Sequence, residues 1–264
     1  MKVTLINWPK YPIRSIHCAV ENMSGNMIHD IESVSKEKAV ETIKELNKTR
    51  LNGAVEFGGD FVFQIEGVPR AFTHQAVRKR VGASYSQESM RFATKEGNKF
   101  SYATGKSIRA DNDLNALYGG FMNDISQKYE KLLSKGAEQQ DARGILPINT
   151  NTKIGIRYNL MTLIRLAEVR LCYQSQGHWR TVIEKMKKEV KGKVGKSVAD
   201  LLVKACDRTG KCEFISVFDR DCPVEEKLIN NMCESCEQRW ECDKYKKDIG
   251  RYCAPIEKLM MKEE

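Results

Sequence analysis

The 264-residue sequence contains no apolar run approaching the roughly 18–20 residues that a membrane-spanning helix needs. Its N-terminal stretch also lacks the apolar core of a secretory signal peptide, because Asn7, Pro9, Lys10 and Arg14 interrupt it. We therefore expect a cytoplasmic protein that does not associate with a membrane.

Two widespread phosphate-binding signatures are also missing, since the sequence has no Walker loop and no glycine-rich dinucleotide fingerprint. The chain nevertheless carries 44 Lys and Arg against 35 Asp and Glu, a formal net charge of +9. Such an excess suggests an anionic partner, which could be nucleic acid, an acidic surface or a phosphorylated small molecule. The aromatic residues do not interleave with arginine as a single-strand platform requires, so we expect no nucleic acid.

Strand-like and helix-like patterns follow one another without regular alternation, which favours an α+β fold. We predict a central, mostly antiparallel sheet flanked by long helices, with a small Cys-rich C-terminal appendage. The predicted strands are KVTLINW, GAVEFGGDFVFQIEG (two strands or one bulged strand), an extended ASYSQESMRFA and NTKIGIRYN. The predicted helices include residues 35–50, 68–80, a long core helix over 113–133, NLMTLIRLAEVRL and HWRTVIEKMKKEVKG.

Seven of the nine cysteines lie after residue 205, where the periodic patterns fade. We therefore expect two units, a main domain over residues 1–205 and a Cys-rich tail over 206–264. Cys233 and Cys236 form a CxxC knuckle, and Cys222 and Cys242 are the natural third and fourth ligands of a four-thiolate site. Zinc or an iron–sulfur cluster would suit such a site, and scattered free thiols are the alternative.

The stretch FTHQAVRKRVGASYSQESMRF, residues 72–92, gathers unusual charge and hydroxyl chemistry. If residues 72–80 are helical, Gln75, Arg78 and Lys79 share a face. An extended run would then project an amide, a hydroxyl and a guanidinium to one side, from Gln87, Ser89 and Arg91. That set suits a phosphate or a pyrimidine edge, and the alternative is a solvated basic helix end followed by an edge strand.

The same stretch resembles the signature of the flavin-dependent thymidylate synthases, Arg-His-Arg, a spacer, then Ser-x-Arg and an aromatic residue. Here the signature reads Arg78-Lys79-Arg80, with Ser89, Arg91 and Phe92 after the spacer. Two more elements match in order: DARGILP at residues 141–147, and Asn159 followed eleven residues later by Arg170. Two residues eleven positions apart on a helix point in directions that differ by only roughly 20°, so one helix can present both side chains to one cavity.

The resemblance implies an enzyme that methylates dUMP to dTMP, with methylenetetrahydrofolate as carbon donor, FAD as cofactor and NADPH as reductant. It also implies a homotetramer whose sites are assembled from several subunits. Arg170 would be the catalytic residue, stabilising negative charge on the uracil ring. The implied FAD-binding residues are Arg78, Lys79, Arg80, Gln87, Asn159 and Arg165. The implied dUMP-binding residues are Gln75, Arg78, Gln87, Ser89, Met90, Arg91, Arg143 and Arg170.

Several positions depart from the family's pattern. Lys79 replaces the middle histidine, and the spacer after Arg80 has one extra residue, most simply Gly82, which a bulge could absorb. Gln87 stands where many members have glutamate, and Gly58 where a histidine is expected. Because phage-type relatives with modified chemistry exist, a hydroxymethylase acting on dUMP or dCMP is an alternative. A basic, zinc-containing nucleic-acid-binding module is the second alternative.

Overall fold

The computed structural model of the protein describes residues 1–48, 53–91, 100–173, 175 and 177–210. Four strands form one sheet: β1 Lys2–Asn7, β2 Asp60–Pro69, β3 Ala83–Gln87 and β4 Asn151–Asn159. Their spatial order is β1-β2-β4-β3, and every neighbouring pair is antiparallel. This arrangement confirms the predicted α+β class with an antiparallel central sheet.

Long and short helices surround this sheet in the described part of the chain. They are α1 Pro12–Met23, α2 Lys36–Lys48, α3 Arg70–Ala76, α4 Lys106–Arg109, α5 Asn112–Ser134, α6 Gln139–Ala142, α7 Leu160–Arg170, α8 Gly177–Lys193, α9 Lys196–Ala199 and α10 Ala205–Thr209. None of these helices is long and apolar enough to cross a membrane.

The core lies between one face of the sheet and the helices packed on it. Along β4, Ile154, Ile156 and Tyr158 are buried, whereas the alternating Lys153 and Arg157 are exposed. This period of two is the signature of a sheet with one covered face. Side chains of α1, α2, α7 and α8 complete the same apolar cluster. The strand order places β4 in the interior of the sheet, so the helix that follows it directly is also central.

The prediction of a core helix over 113–133 is correct for its helical state and wrong for its burial. On α5, only Met122 and Tyr129 are buried among the described residues. Leu114, Leu117 and Phe121 are 48%, 57% and 58% exposed. These three residues are three and four positions apart and therefore share one helical face. The periodicity correctly indicated an amphipathic helix, but no part of the chain that the structure describes covers that apolar face.

The outer edge of β1 is closed by two side chains of α8. The Leu5 N–H donates to the Glu189 carboxylate at 2.9 Å, and Lys193 Nζ donates to the Leu5 carbonyl at 2.7 Å. Glu189 and Lys193 also pair with each other at 3.0 Å. These contacts satisfy edge-strand groups that would otherwise be available to a second strand.

Glu189→Gln should lower the melting temperature at neutral pH by a small amount. The Leu5 N–H and then Lys193 hold the pKa of Glu189 below its usual value. A carboxyl group whose pKa is lower in the folded state than in the unfolded state stabilises the fold at pH values above its unfolded-state pKa. This stabilisation is lost as the pH falls through the folded-state pKa. The difference between wild type and variant, measured by thermal denaturation against pH, should therefore vanish in acid.

Glu184→Gln is the matched control, because Glu184 makes an exposed pair with Arg180 on the same helix at 3.4 Å. That pair touches no strand, so its loss should change the melting temperature less at every pH. A Glu189→Gln effect that persists unchanged in acid would contradict the assignment.

The boundary between residues 205 and 206 stays a prediction. Helix α10 spans it, and Arg208 forms a buried ion pair with Glu168 of α7 at 2.9 Å. Arg208 also donates to Asn47 of α2 and to the Leu201 carbonyl. The first residues of the proposed tail are thus held firmly against the main domain.

Candidate active site

The junction between β4 and α7 falls at Asn159, as the sequence indicates. Its side-chain Oδ1 accepts the Thr162 N–H at 2.8 Å, which satisfies one of the free amides of the first helical turn. Its backbone N–H donates to the Gly82 carbonyl at 2.8 Å. The Thr162 hydroxyl donates to the Val81 carbonyl at 2.9 Å. The N-terminus of α7 is therefore fastened to the loop that carries the basic triplet.

Gly82 has a φ of +66°, in the left-handed region that favours glycine. A Cβ on Gly82 would lie 2.4 Å from Thr162 Oγ1 and 2.6 Å from both polar atoms of the Asn159 amide. The expectation of a bulge is wrong, because β3 pairs regularly with β4 from Ala83 onward. The extra residue lies instead in the turn before the strand, where the close approach to α7 requires a glycine.

The basic triplet lies in this loop and not on a helix. The prediction of helix through residue 80 is wrong, since α3 ends at Ala76 and Val77 is its C-cap. The Lys79 carbonyl accepts the Tyr85 hydroxyl at 2.6 Å, a contact that directs the chain toward β3. Gln75, Arg78 and Lys79 consequently do not share a helical face.

The cationic ends of the triplet face outward. Arg78 and Arg80 are exposed. Neither makes a side-chain hydrogen bond or ion pair with another residue in the described ranges. Two guanidinium groups with five N–H donors each are thus available to an anion beside the glycine turn.

At the other end of α7, Arg170 lies over the ring of Trp179, with Cζ 4.6 Å from the centroid. Trp179 is buried, packs against Phe72 and donates its indole N–H to Gln75 Oε1 at 2.9 Å. Trp179 therefore joins Gln75 to Arg170, two predicted nucleotide-binding residues far apart in sequence. The N-terminus of α7 contacts the segment between β2 and β3 directly, and its C-terminus is joined to that segment through Trp179.

Arg170 is half-buried without a compensating negative charge. Within the described part of the chain it makes no ion pair and no side-chain hydrogen bond. Burial lowers the pKa of its guanidinium, and Tyr158 acts in the opposite direction. The group nevertheless remains a cation, because arginine does not deprotonate in proteins. A partly desolvated cation with unused donors is suited to stabilising an anionic or electron-rich ligand.

Gln87 is the last residue of β3, and its side chain reaches back to α3. Its Nε2 donates to the hydroxyl of the buried Thr73 at 2.9 Å. Thr73 in turn donates to the Arg70 carbonyl at 3.1 Å. Gln87 therefore positions α3, the helix that carries Gln75, against β3.

The residues after β3 turn, so the predicted extended run ends early. The Arg91 N–H donates to Ser89 Oγ at 3.3 Å, and Met90 between them is 8% exposed. Phe92 lies outside the described residues. Gln87, Ser89 and Arg91 therefore do not project from one strand.

A second contact brings Arg91 to the predicted Arg143. Arg91 Nη2 donates to Gln140 Oε1 at 2.9 Å, and Arg143 Nε donates to the Gln140 carbonyl at 3.0 Å. The DARGILP element and the Ser-x-Arg element therefore meet at one residue, as expected if both hold the same nucleotide.

Arg165 lies on a different face of α7 from Arg170. Its guanidinium pairs with Glu168 at 3.0 Å, and Glu168 also pairs with the buried Arg208. Five helical residues correspond to about 500°, so Arg165 and Arg170 point roughly 140° apart.

The proposed metal ligands Cys222, Cys233, Cys236 and Cys242 lie outside the described residues. Within the ranges that the structure describes, no group of three or more His, Cys, Asp or Glu side chains could hold a metal ion.

Several residues that shape this site are absent from the predicted set. Trp179, Thr162, Tyr85 and Tyr158 were not selected, because a buried aromatic or hydroxyl residue in a helix or strand pattern indicates core. His178, next to Trp179, is a further case: burial and then Arg109 lower the pKa of its imidazole. Gly58, which stands where the family's pattern has a histidine, lies against the first residue of α7. A Cβ on Gly58 would lie 2.5 Å from Leu160 Cδ2.

The structure places exposed guanidinium groups, Arg78 and Arg80, in the loop fastened to the N-terminus of α7, and the half-buried Arg170 at its C-terminus. Residues 4–194 match the family described as Thymidylate synthase complementing protein. The chain therefore belongs to this family of enzymes.

Relatives with the name flavin-dependent thymidylate synthase occur in archaea. The relative from Pyrococcus abyssi is 30% identical over 203 residues, which cover 72% of this chain and 79% of the relative. The relative from Pyrococcus furiosus is 32% identical over 197 residues, with the same two coverages. A solved structure, the UMP/dUMP methylase PolB from Streptomyces cacaoi bound with 5-Br dUMP, has the same fold. Its TM-score is 0.59 at 16% identity, over 76% of this chain and 93% of that chain.

Proposed function

We propose that this enzyme methylates dUMP to dTMP, with FAD as cofactor, methylenetetrahydrofolate as carbon donor and NADPH as reductant. The observation that carries the proposal is Arg170, a half-buried cation with no counter-charge among the described residues, held over Trp179 and thereby joined to Gln75. The archaeal relatives with this activity in their names support the choice of reaction.

Arg170 is the proposed catalytic residue. A permanent cation next to the uracil ring stabilises the negative charge that develops when carbon 5 attacks the carbon donor. The Trp179 ring excludes water from one side of the guanidinium, which strengthens this interaction. Gln75 offers an amide to the pyrimidine edge from the other side of Trp179.

The remaining nucleotide contacts are proposed from the meeting of three segments. Arg91 and Arg143 converge on Gln140 and would hold the phosphate. Ser89 and the backbone at Met90 complete this turn, and Gln87 would bind from the end of β3. Arg78 extends from the basic loop toward both ligands.

The basic loop has the donor set that the pyrophosphate of FAD requires. Arg78, Lys79 and Arg80 provide cations, Gly82 lets the backbone approach closely, and Asn159 retains its Nδ2 donors beside the glycine. When bound, FAD supplies the hydride that reduces the transferred carbon. Arg165 would join this set only through a change of rotamer away from Glu168, so we propose it as a peripheral contact.

Two substitutions of Asn159 should separate its cap from its proposed flavin contact. Asn159→Ala removes both, and we expect about 1 kcal/mol less stability together with weaker flavin binding. Asn159→Asp keeps an oxygen that caps Thr162 but loses the amide donors, so only flavin binding should fall. Urea denaturation and the flavin absorbance of the purified variants measure the two effects. An Asp variant that keeps its flavin would contradict the contact.

A homotetramer is proposed on the apolar face of α5. Leu114, Leu117 and Phe121 are exposed there, and a second copy of the chain would bury them. Light scattering on the purified protein should give four chains, and Leu117→Glu should dissociate them. A monomer in the wild type would refute this part of the proposal.

The Cys-rich tail is proposed as a separate metal-binding unit. Cys222, Cys233, Cys236 and Cys242 would supply four thiolates to zinc or an iron–sulfur cluster. Elemental analysis with labile-sulfide determination distinguishes these two occupants, and protein without either metal would leave free thiols.

The activity is tested with the purified full-length chain. We expect a yellow protein that forms dTMP from dUMP, methylenetetrahydrofolate and NADPH. Parallel reactions with dUMP and dCMP, analysed by mass spectrometry, would reveal a hydroxymethylated product in its place. A colourless protein that forms no product and shifts labelled DNA with a steep salt dependence would instead indicate a nucleic-acid-binding module.

A further inference from the structure

The side-chain amide of Gln75 has an orientation that its partner dictates. Gln75 is half-buried on α3, and its Oε1 accepts the indole N–H of Trp179 at 2.9 Å. An indole nitrogen donates and never accepts, so only the oxygen end of the amide can occupy this position. The Trp179 contact therefore fixes which end of the amide is the oxygen and which is the nitrogen.

This orientation determines what Gln75 can offer to a ligand. With Oε1 directed at Trp179, the other polar atom of the side chain is Nε2. That atom carries two N–H donors and no acceptor. Whatever else Gln75 contacts, its nitrogen end can therefore pair only with an acceptor atom of a ligand.

The Trp179 ring is itself held by packing. It is 1% exposed, and it lies against Phe72 of α3 with the ring centroids 4.5 Å apart. Arg170 lies over the same ring, with Cζ 4.6 Å from the centroid. The indole cannot turn without losing these contacts, so the direction of its N–H is set by the core. Because Gln75 and the proposed catalytic cation contact one fixed ring, we expect a nucleotide bound at Arg170 to reach the Gln75 amide as well.

Uracil and cytosine differ in polarity at carbon 4, where uracil carries a carbonyl acceptor and cytosine an amino donor. An N–H donor from Gln75 completes a hydrogen bond with the carbonyl of uracil. With cytosine, two donors would face each other and both would lose a partner on leaving water. Such a mismatch costs more than the absence of one hydrogen bond and acts against the wrong base.

We propose that Trp179 is a positioning residue that makes Gln75 select uracil over cytosine, an inference that rests on the proposed function. Trp179 holds the amide oxygen, so that Nε2 of Gln75 donates to oxygen 4 of the pyrimidine. The selectivity against dCMP thus depends on a buried indole N–H that does not itself contact the nucleotide.

The test measures the Kd values for dUMP and dCMP by calorimetric titration of the purified full-length protein. We expect the wild type to bind dUMP at least roughly tenfold more tightly than dCMP. Gln75→Glu keeps an oxygen for the Trp179 N–H but presents a second acceptor in place of Nε2, so this preference should disappear or reverse. The added charge repels the phosphate of both nucleotides equally, and the ratio of the two Kd values therefore reports on the base alone.

Gln127→Glu is the matched control, because it makes the same chemical change at an exposed position of α5. The control variant should keep the wild-type ratio of the two Kd values.

Trp179→Phe tests the positioning role, since it removes the indole N–H and lets the Gln75 amide turn over. The ratio should fall toward unity, whereas a loss of packing alone would weaken both nucleotides alike and leave the ratio unchanged. Gln75→Met removes both polar atoms of the amide and leaves Trp179 in place. If Trp179 acts through Gln75, adding Trp179→Phe to Gln75→Met should change the ratio less than about twofold.

The remaining outcomes also decide. A Gln75→Glu protein whose ratio stays within about twofold of wild type overturns the inference, and this variant decides even if Trp179→Phe does not fold. An equal loss of affinity for both nucleotides is such a result, and it would assign Gln75 to the phosphate or the sugar. A wild-type protein that binds dCMP as tightly as dUMP overturns the inference as well. A wild-type protein that binds neither nucleotide overturns the proposed function itself, so the two failures are distinguishable.

Discussion

Replacing Arg170 with alanine should reduce dTMP formation by roughly 100- to 1,000-fold, the usual effect of removing a group that stabilises charge in a transition state. The fold should survive, because Arg170 makes no ion pair within the described residues and Trp179 remains packed on Phe72. Initial rates of dTMP formation, with saturating folate and NADPH, measure the effect. The loss should fall mainly on kcat, since the interaction strengthens as the uracil ring gains negative charge.

Arg14→Ala is a suitable control for this variant. The Arg14 guanidinium also lies over an aromatic ring, 5.0 Å from the Tyr11 centroid, but on α1 and away from α7. It should leave the rate unchanged, which excludes a general effect of removing a stacked arginine. An Arg170→Ala enzyme with at least half of the wild-type rate would rule out the catalytic assignment.

Among substitutions that add a single methyl group to the basic loop, Gly82→Ala is expected to be the most destabilising. The left-handed φ of +66° and a Cβ at 2.4 Å from Thr162 Oγ1 act together. We expect a loss of roughly 2–4 kcal/mol in the free energy of unfolding, from backbone strain and overpacking combined. Flavin binding should fall as well, because Asn159 and the basic loop must move apart. Urea denaturation and flavin absorbance follow the two effects.

Gly25→Ala separates the two causes. Gly25 has a φ of +88°, but a Cβ there would meet nothing within 4 Å. The Gly25→Ala variant should therefore lose about 1–2 kcal/mol of unfolding free energy, from backbone strain alone, and its flavin binding should not change. Equal losses for the two variants would show that the approach of Gly82 to α7 is unimportant.

Local patterns predicted most of the elements around the site. The alternation in NTKIGIRYN predicted β4 with the bounds that the structure shows, Asn151–Asn159, and Asn159 was a recognisable cap for α7. Both signals depend on neighbours within four residues, so a single sequence contains them. The approach of Arg91 and Arg143 to the same residue, Gln140, was anticipated only through the family resemblance, because no local pattern links these distant segments.

The incorrect predictions share a physical cause. A helix through residue 80 satisfied the local pattern, but Tyr85 attracts the Lys79 carbonyl and the Gly82 turn redirects the chain. The burial of α5 failed for a similar reason, since periodicity shows that a helix has an apolar face and not which surface covers it. Both outcomes depend on residues distant from the segment itself.

By itself, the sequence determined the α+β class, the strand–helix junction at Asn159 and, through its three ordered motifs, the family. These features follow from side-chain periodicity, capping and residue identity, which act over short distances along the chain. Only the tertiary structure decided that Trp179 joins Gln75 to Arg170 and that Gly82 abuts Asn159 and Thr162. Those facts arise where separate segments pack together, and packing selects partners by shape and by hydrogen-bond geometry in space.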